Sequence, residues 1–411
     1  MARNTLTMKR IFTLSALAAA ALSASASTLE VKIENPLDAA RQAVPVTVNL
    51  HENAPGMNPA GAMVKINGEI IPCQIDDLNA DGVADELVFV TDVAPQATVT
   101  ASVELTSAPT DTVFTPKTYA YIKLRDEKKK YPKVVAVEFP GDADTRTMYN
   151  SIYGHGAVME GLYNAIRIYM DNRQSVDVYG KNTKQLELDV TGFYTTPEQL
   201  AAGYGHDILW AGQSVAAGSF RGYQNGNPVY IDSVASRGQR VVVSGPVRSI
   251  VRIDDHGWNY NGTHHDMSQF YTLWADHRDY DVDVFIKGTT PADVYATGVQ
   301  KMESDNTGFV QPDGLAGCWG SNIPEKKYAD LVEWVGLGVS VDPASLSGTA
   351  EDEVNYLTFV APDAEGHIGY GINIASAREN GGFKDAASWH EHLRRWHAER
   401  LTPCRVTVTR K

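Results

Sequence analysis

The chain has 411 residues, 43% hydrophobic and 21% charged, the balance of a folded globular protein and not of a disordered one. That length suits one large β domain with a smaller one beside it. A net charge of −14 without a basic stripe excludes nucleic acid as a partner, and an acidic polysaccharide would need a local Arg/Lys cluster to outweigh the overall field.

In chain order, Met8-Lys9-Arg10, the apolar run 11–22 and the A-x-A-type site Ala24-Ser25-Ala26 read as an export signal. Residues 1–26 are therefore expected to be a signal peptide and the mature protein secreted or periplasmic. No lipobox cysteine follows, and no later apolar run is long enough for a membrane span.

Residues 27–112 are expected to form a small β-sandwich. Short alternating segments at 29–34, 44–50, 62–66, 69–75, 86–90 and 99–105 are separated by turn signals such as Asn67-Gly68 and Asp81-Gly82. Asp77, Asn79, Asp81 and Asp85 place oxygen ligands at alternate positions before and after Gly82, like the first half of a calcium loop. The twelfth position is Val88, so the EF-hand pattern fails. A shorter calcium turn and a polar hairpin held by Asx turns both fit. Residues 106–117, rich in Thr, Pro and Asp, read as the linker.

From 113 to 411 the pattern stays β, with candidate strands at 119–124, 133–139, 167–179, 186–193, 229–234, 240–243, 247–254, 268–274, 282–287, 333–340, 356–360, 368–375 and 405–410. Without regular helix alternation or repeats, this predicts one large antiparallel assembly. One helix is expected near the end, opened by a Ser388-x-x-Glu391 capping box, with Trp389, Leu393 and Trp396 at helical spacing. It should lie across a sheet edge, with His390, His392 and His397 solvated. Cys318 and Cys404 are the pair expected if a disulfide forms; three buried thiols, Cys73 included, fit equally well.

The stretch from Gly154 to Lys181 stands out. From Tyr163 onward its odd positions carry Arg167, Tyr169, Asp171, Arg173, Asp177, Tyr179 and Lys181, while the even ones carry Ile166, Ile168, Met170, Val176 and Val178. This period of two is a strand, or two strands meeting near Asp171–Asn172, with one buried face. The other face is either a groove for a polar ligand or a ladder of salt bridges. Gly-flanked or acid-flanked histidines recur at His155, His206-Asp207, His256 and His264-His265, where backbone approach and tautomer control are available. Adjacent histidines on a strand point oppositely, which argues against a metal at His264-His265. Tyr163, Tyr169, Trp210, Tyr223, Trp258, Tyr260, Tyr271 and Trp274 lie near these loops and favour sugar as ligand, unless they are simply core. G-x-S-x-G, Walker and dinucleotide-binding motifs are absent.

The run Glu160–Lys181, together with Gly205-His206-Asp207-Ile208-Leu209, Gly245-Pro246-Val247-Arg248-Ser249 and the acidic stretch beginning Asp76-Asp77, resembles domain-of-unknown-function family 4861. The resemblance covers nearly all of the mature chain. It implies Bacteroidota polysaccharide-utilisation loci concerned with pectin and uronic acids, and an all-β architecture: a small N-terminal β-sandwich followed by a large antiparallel β-supersandwich of the galactose-mutarotase and polysaccharide-lyase kind. It carries over no catalytic residues.

Two classes of function remain. The first is an enzyme on acidic glycans, with β-elimination leading and no cofactor required. Arg167 or Arg173 would neutralise the uronate, His206 or His155 would be the base, and Tyr169 or Tyr271 the acid. A glycosidase would instead use two carboxylates among Glu160, Asp171, Asp177 and Asp207. An epimerase or mutarotase, using His plus Glu, fits the fold as well. Substrate contacts are expected from Tyr163, Asp177, Lys181, Trp210, Arg221, Arg248, His256, Trp258, His264, His265 and Tyr271. The second class is a glycan-binding protein that uses the same groove without catalysis.

Overall fold

The structure is a computed structural model describing residues 26–325 and 331–411; the expected export signal, Ala26 apart, lies outside them. All pairings between strands are antiparallel among the described residues. No described helix is long and apolar enough to cross a membrane.

The N-terminal sandwich forms where sequence alternation predicts it. Thr98–Thr106 and Arg41–Asn49 bury every second residue, and Leu29, Val31, Ile33, Val46, Val48, Leu87, Phe89 and Val103 close one core between a five-stranded and a three-stranded sheet. One boundary differs from expectation. The last strand, Arg405–Arg410, leaves the large domain and pairs along Ala26–Glu34. Nearly all its residues are exposed, so nothing in its own pattern says which sheet it joins. That return also carries Cys404 to the N-terminal core, while Cys318 is buried in the large unit, and all three cysteines are free.

In the large unit a nine-stranded sheet faces a six-stranded and a five-stranded sheet across one core. Ile166, Ile168, Met170, Val176 and Val178, the even positions of the hairpin Asn164–Tyr169 and Val176–Gly180, supply that core. It meets Val251, Ile253, Tyr271, Val282, Leu337 and Ile372 from the large sheet. The segment expected as a strand at 186–193 is instead a loop with the helical turn Leu188–Thr191, which folds over the outer face of the six-stranded sheet.

The helix Ala386–Leu401 is capped by Asp385, which accepts from the Ser388 N–H (2.8 Å), and not by the Ser388 box. It packs on the sheet face, not across an edge. Trp389 and Leu393 sit over Gly317, Gly336 and Gly338, and a Cβ at Gly336 would come within 2.7 Å of the indole. This docking buries His390 and His397, which were expected to be solvated.

Between the two units Arg248 binds Asp76 (Nε to Oδ2, 2.9 Å) and Glu86 (Nη2 to Oε2, 2.7 Å). Gln74 brackets the Arg248 backbone, accepting from its N–H and donating to its carbonyl at 3.0 Å each. Arg248, expected to touch substrate, is thus a buried interdomain pin.

Candidate functional site

The odd face of the Gly154–Lys181 stretch is the outer face of the six-stranded sheet, and it divides into two parts. In the covered part, the buried Glu160 accepts from Lys181 Nζ and from the N–H groups of Glu187 and Leu188. The ammonium group also donates to the carbonyls of Gly161 (2.7 Å) and Gln185. Burial pushes the Glu160 carboxyl up and the Lys181 ammonium down, against the attraction of each for the other. Both were expected at the site; instead they fasten the covering loop.

The open part lies at the other end. Arg167 donates from Nε and Nη2 to Asp177 Oδ2 (2.9 and 2.6 Å), and from Nη2 to Asp207 Oδ2 (2.8 Å). It also reaches the hydroxyls of Tyr194 (3.2 Å) and Tyr169 (3.3 Å). Tyr169 donates to Asp177 (2.7 Å), whose other oxygen accepts from the Val178 N–H (2.9 Å). Asp177 is therefore saturated with donors. Burial and the neighbouring Asp177 charge raise the Asp207 carboxyl well above the usual range, against the opposing pull of Arg167.

Above this pair stands His155. The helix Thr145–Ser151 and the turn Tyr153–His155 bring it in, with Gly154 and His155 both left-handed (φ 77° and 69°). A histidine in that region is strained and is held by its surroundings. Its N–H donates to the Ile152 carbonyl (3.0 Å) and its carbonyl accepts from Met170 (2.8 Å). The ring stacks on Tyr149 at 3.7 Å and meets Tyr169 and Tyr194 edge-on. Nδ1 lies 2.9 Å from the Tyr149 carbonyl, which selects the Nδ1–H tautomer and leaves the Nε2 lone pair without a partner among the described residues. Burial brings its pKa down to about 4, so the ring is a neutral base at physiological pH.

Arg173 completes the cluster. Its guanidinium lies over the rings of Tyr149 (5.2 Å) and Tyr169 (4.9 Å), with Nε donating to Asp171 Oδ2 (2.8 Å) and Nη1 without a hydrogen-bond partner among the described residues. Burial opposes its charge, but Asp171 outweighs burial and keeps it cationic. The turn is anchored from below by Gln174, which donates to the buried Asp255 (2.6 Å).

The other expected residues lie elsewhere. His206 is buried against Glu333 (2.8 Å), which Arg378 also holds. Tyr271 and Trp258 are core side chains, because their strands turn those positions inward. Arg221 is fully buried, donating to Ser175 and to the carbonyls of Phe220 and Ser214. His265 is sealed against Asp293 (3.1 Å), and His256 and His264 are exposed around the Arg248–Tyr260/Thr263–Trp274 hairpin turn, His256 near Asp266. Tyr163 lies against Lys184 and Arg278. Trp210 lines a neighbouring groove. In the 77–85 loop, Asp77 accepts from the N–H groups of Ala80, Asp81 and Gly82, and Asp85 from Leu78 and His51. These are the bonds of the polar hairpin, and no three His, Cys, Asp or Glu side chains converge on a metal position among the described residues. Tyr149 and Tyr194 belong to the cluster and were not expected; only their places beside Gly-containing turns, YNSIYGH and TGFYTT, set them apart in the sequence.

Comparison with known proteins fits this chain to one family. The family model described as "Domain of unknown function (DUF4861)" matches residues 33–406, and the chain belongs to that family. No curated protein matches. Among solved structures, a protein in the glycosyl hydrolase family 38 from Enterococcus faecalis is similar at 10% identity and TM-score 0.46, over 93% of this chain and 47% of that one. An alpha-mannosidase from Enterococcus faecalis V583 is similar at 10% identity and TM-score 0.47, over 93% and 46%. The chain spans about half the length of each. A likeness at that level assigns no function.

Proposed function

We propose that this protein is a carbohydrate-active enzyme that cleaves uronate-containing oligo- or polysaccharides by β-elimination, without a cofactor. The observation that carries this reading is His155: a neutral imidazole with an open Nε2, stacked on Tyr149 and meeting Tyr194, with the cation of Arg173 over the same Tyr149 ring. A base, an acid and a carboxylate-neutralising cation are the groups that β-elimination needs.

Arg173 takes the uronate carboxylate on its free Nη1 edge, which acidifies the proton on C5. His155 Nε2 removes that proton while Nδ1–H stays on the Tyr149 carbonyl. The electron pair forms the C4=C5 double bond, the C4–O bond breaks, and the Tyr194 hydroxyl protonates the leaving oxygen. Arg167, on the same hydroxyl, stabilises the phenolate until the proton on His155 returns to it through solvent. Burial raises the Tyr194 pKa and keeps it an acid beforehand. Tyr194 takes this role in place of Tyr169, whose proton is committed to Asp177. The saturation of Asp177 also disfavours a two-carboxylate glycosidase. The export signal expected from the sequence and the pectin setting implied by the family resemblance support an extracytoplasmic, pectin-like substrate.

The test is a screen of pectic, ulvan-like and host glycans for unsaturated products that absorb in the ultraviolet and for new reducing ends. Ultraviolet product that disappears in His155→Ala is expected. Reducing ends without ultraviolet product would make the protein a hydrolase, and neither signal would make it a binding protein.

A further inference from the structure

Arg221 is a buried cation that the chemistry above leaves unused. It is 0% exposed, a state that charged residues reach almost only in pairs. The other buried arginines among the described residues are paired: Arg167 with Asp177, Arg237 with Asp255 and Arg248 with Asp76. Arg221 is held by neutral groups instead. Nη1 donates to the Phe220 carbonyl (2.9 Å), and Nη2 to Ser175 Oγ (3.1 Å) and the Ser214 carbonyl (3.4 Å). Nε has no partner, and no carboxylate lies within ion-pair distance among the described residues. The ring of Tyr230 (5.4 Å) and the buried Tyr271 and Tyr370 stand near it and bring no counter-charge. Burial brings the guanidinium down to about 10, so it stays charged at physiological pH.

Its place is behind the turn that carries Arg173. Ser175, which accepts from Nη2, closes that turn, its carbonyl accepting from the Tyr169 N–H (3.1 Å). Ser175 is two residues from Arg173, at most about 7 Å along the chain. Asp171, the carboxylate that holds Arg173 (Nε to Oδ2, 2.8 Å), also acts through space on Arg221. Arg173 is thus already answered by Asp171, and the pair by itself offers an anion little net charge. Arg221 adds a charge in an interior where fields reach further than in water. At about 10 Å and an effective dielectric of about 20, one such charge changes the affinity for an anion about tenfold. A local rule broken without compensation inside the fold is expected at functional sites, and a ligand carboxylate on Arg173 supplies the compensation here.

We propose that Arg221 is a positioning residue of this site, a buried charge left without a protein counter-ion so that the uronate carboxylate on Arg173 completes the group of Asp171, Arg173 and Arg221. This rests on reading the cluster as a uronate site. The test is calorimetric binding of trigalacturonate, and of its methyl ester, to the full chain carrying His155→Ala with Arg221 intact or replaced by Lys, Gln or Met. Arg221→Gln and Arg221→Met should weaken trigalacturonate about tenfold and leave the methyl ester unchanged. Arg221→Lys keeps the charge and should keep most of the affinity. A loss shared by acid and ester, or as large in Arg221→Lys as in Arg221→Gln, is what a merely structural arginine gives, and it overturns the proposal. Unchanged binding in Arg221→Met overturns it too, as does failure of both neutral variants to fold, which would make the charge part of the fold. Trigalacturonate that binds even the chain with Arg221 intact too weakly to measure removes the pectin-like uronate reading itself, whereas binding that ignores the charge at position 221 removes this inference alone.

Discussion

His155 spends backbone strain to hold an imidazole on Tyr149, and the consequence is a base whose pKa lies at about 4. The catalytic form is the unprotonated one, so kcat/KM is expected to rise with pH through about 4 and to stay flat across neutrality. A limb near the ordinary histidine value of about 6.5 in the pH–rate profile would remove His155 from the base role. Tyr194→Phe keeps the ring contacts and deletes only the acid. It should lower kcat by roughly a hundredfold with KM little changed, read by steady-state kinetics. Tyr169 and Arg173 were legible because they fall within one run of period two, where alternation assigns faces, and His155 because glycines flank it just upstream. Tyr149 and Tyr194 were not, because a helix and a loop bring them in through contacts that leave no periodic trace.

The hairpin Asn164–Tyr169 and Val176–Gly180 shows how one face can hold both of the arrangements its sequence allowed. At the covered end the charges form a closed pair, Glu160 with Lys181, and Arg167 with Asp177 continues the ladder into the open part. Toward the turn they open into the cluster of His155 and Arg173. The covered end is structural, so its removal should show in stability. Lys181→Met leaves a buried carboxylate without its cation and is expected to cost about 3–5 kcal/mol, whereas Lys181→Met with Glu160→Leu should recover much of that loss. Chemical denaturation of the single and double variants checks this. A single variant as stable as wild type would mean that water reaches Glu160. Sequence alternation could not separate the two ends, since Lys181 and Arg173 look alike until the 181–205 loop folds over one of them.

For the whole molecule, the N-terminal sandwich is tied to the large unit by Arg248 and by His277. The His277 ring bridges Asp279 (3.0 Å) and the carbonyl of Ala43 (2.8 Å). Burial alone would lower its pKa, but Asp279 outweighs burial and raises it to about 9. A folded-state value above the unfolded one of about 6.5 means that this contribution is complete below about pH 6.5 and is lost as pH rises through about 9. His277→Gln should therefore lower the melting temperature clearly at about pH 6, with the difference closing by about pH 10. A constant difference across that range would mean that the charge contributes nothing. Deleting the strand Arg405–Arg410 uncovers the edge of Ala26–Glu34 and should promote association, measurable by light scattering.

The sequence by itself determined the all-β class, the N-terminal sandwich, the large antiparallel unit and the inward face of the 164–180 hairpin, because each rests on local alternation of apolar side chains. It also brought His155, Tyr169 and Arg173 forward as candidates. Tertiary structure decided which charges are buried in pairs and which stay open. It also decided that Tyr271, Trp258 and His265 are interior, that the last strand returns to the first domain, and that Arg221 is buried behind the turn that carries Arg173. Those outcomes depend on which distant segment covers which face, and a residue's neighbours along the chain carry no record of that.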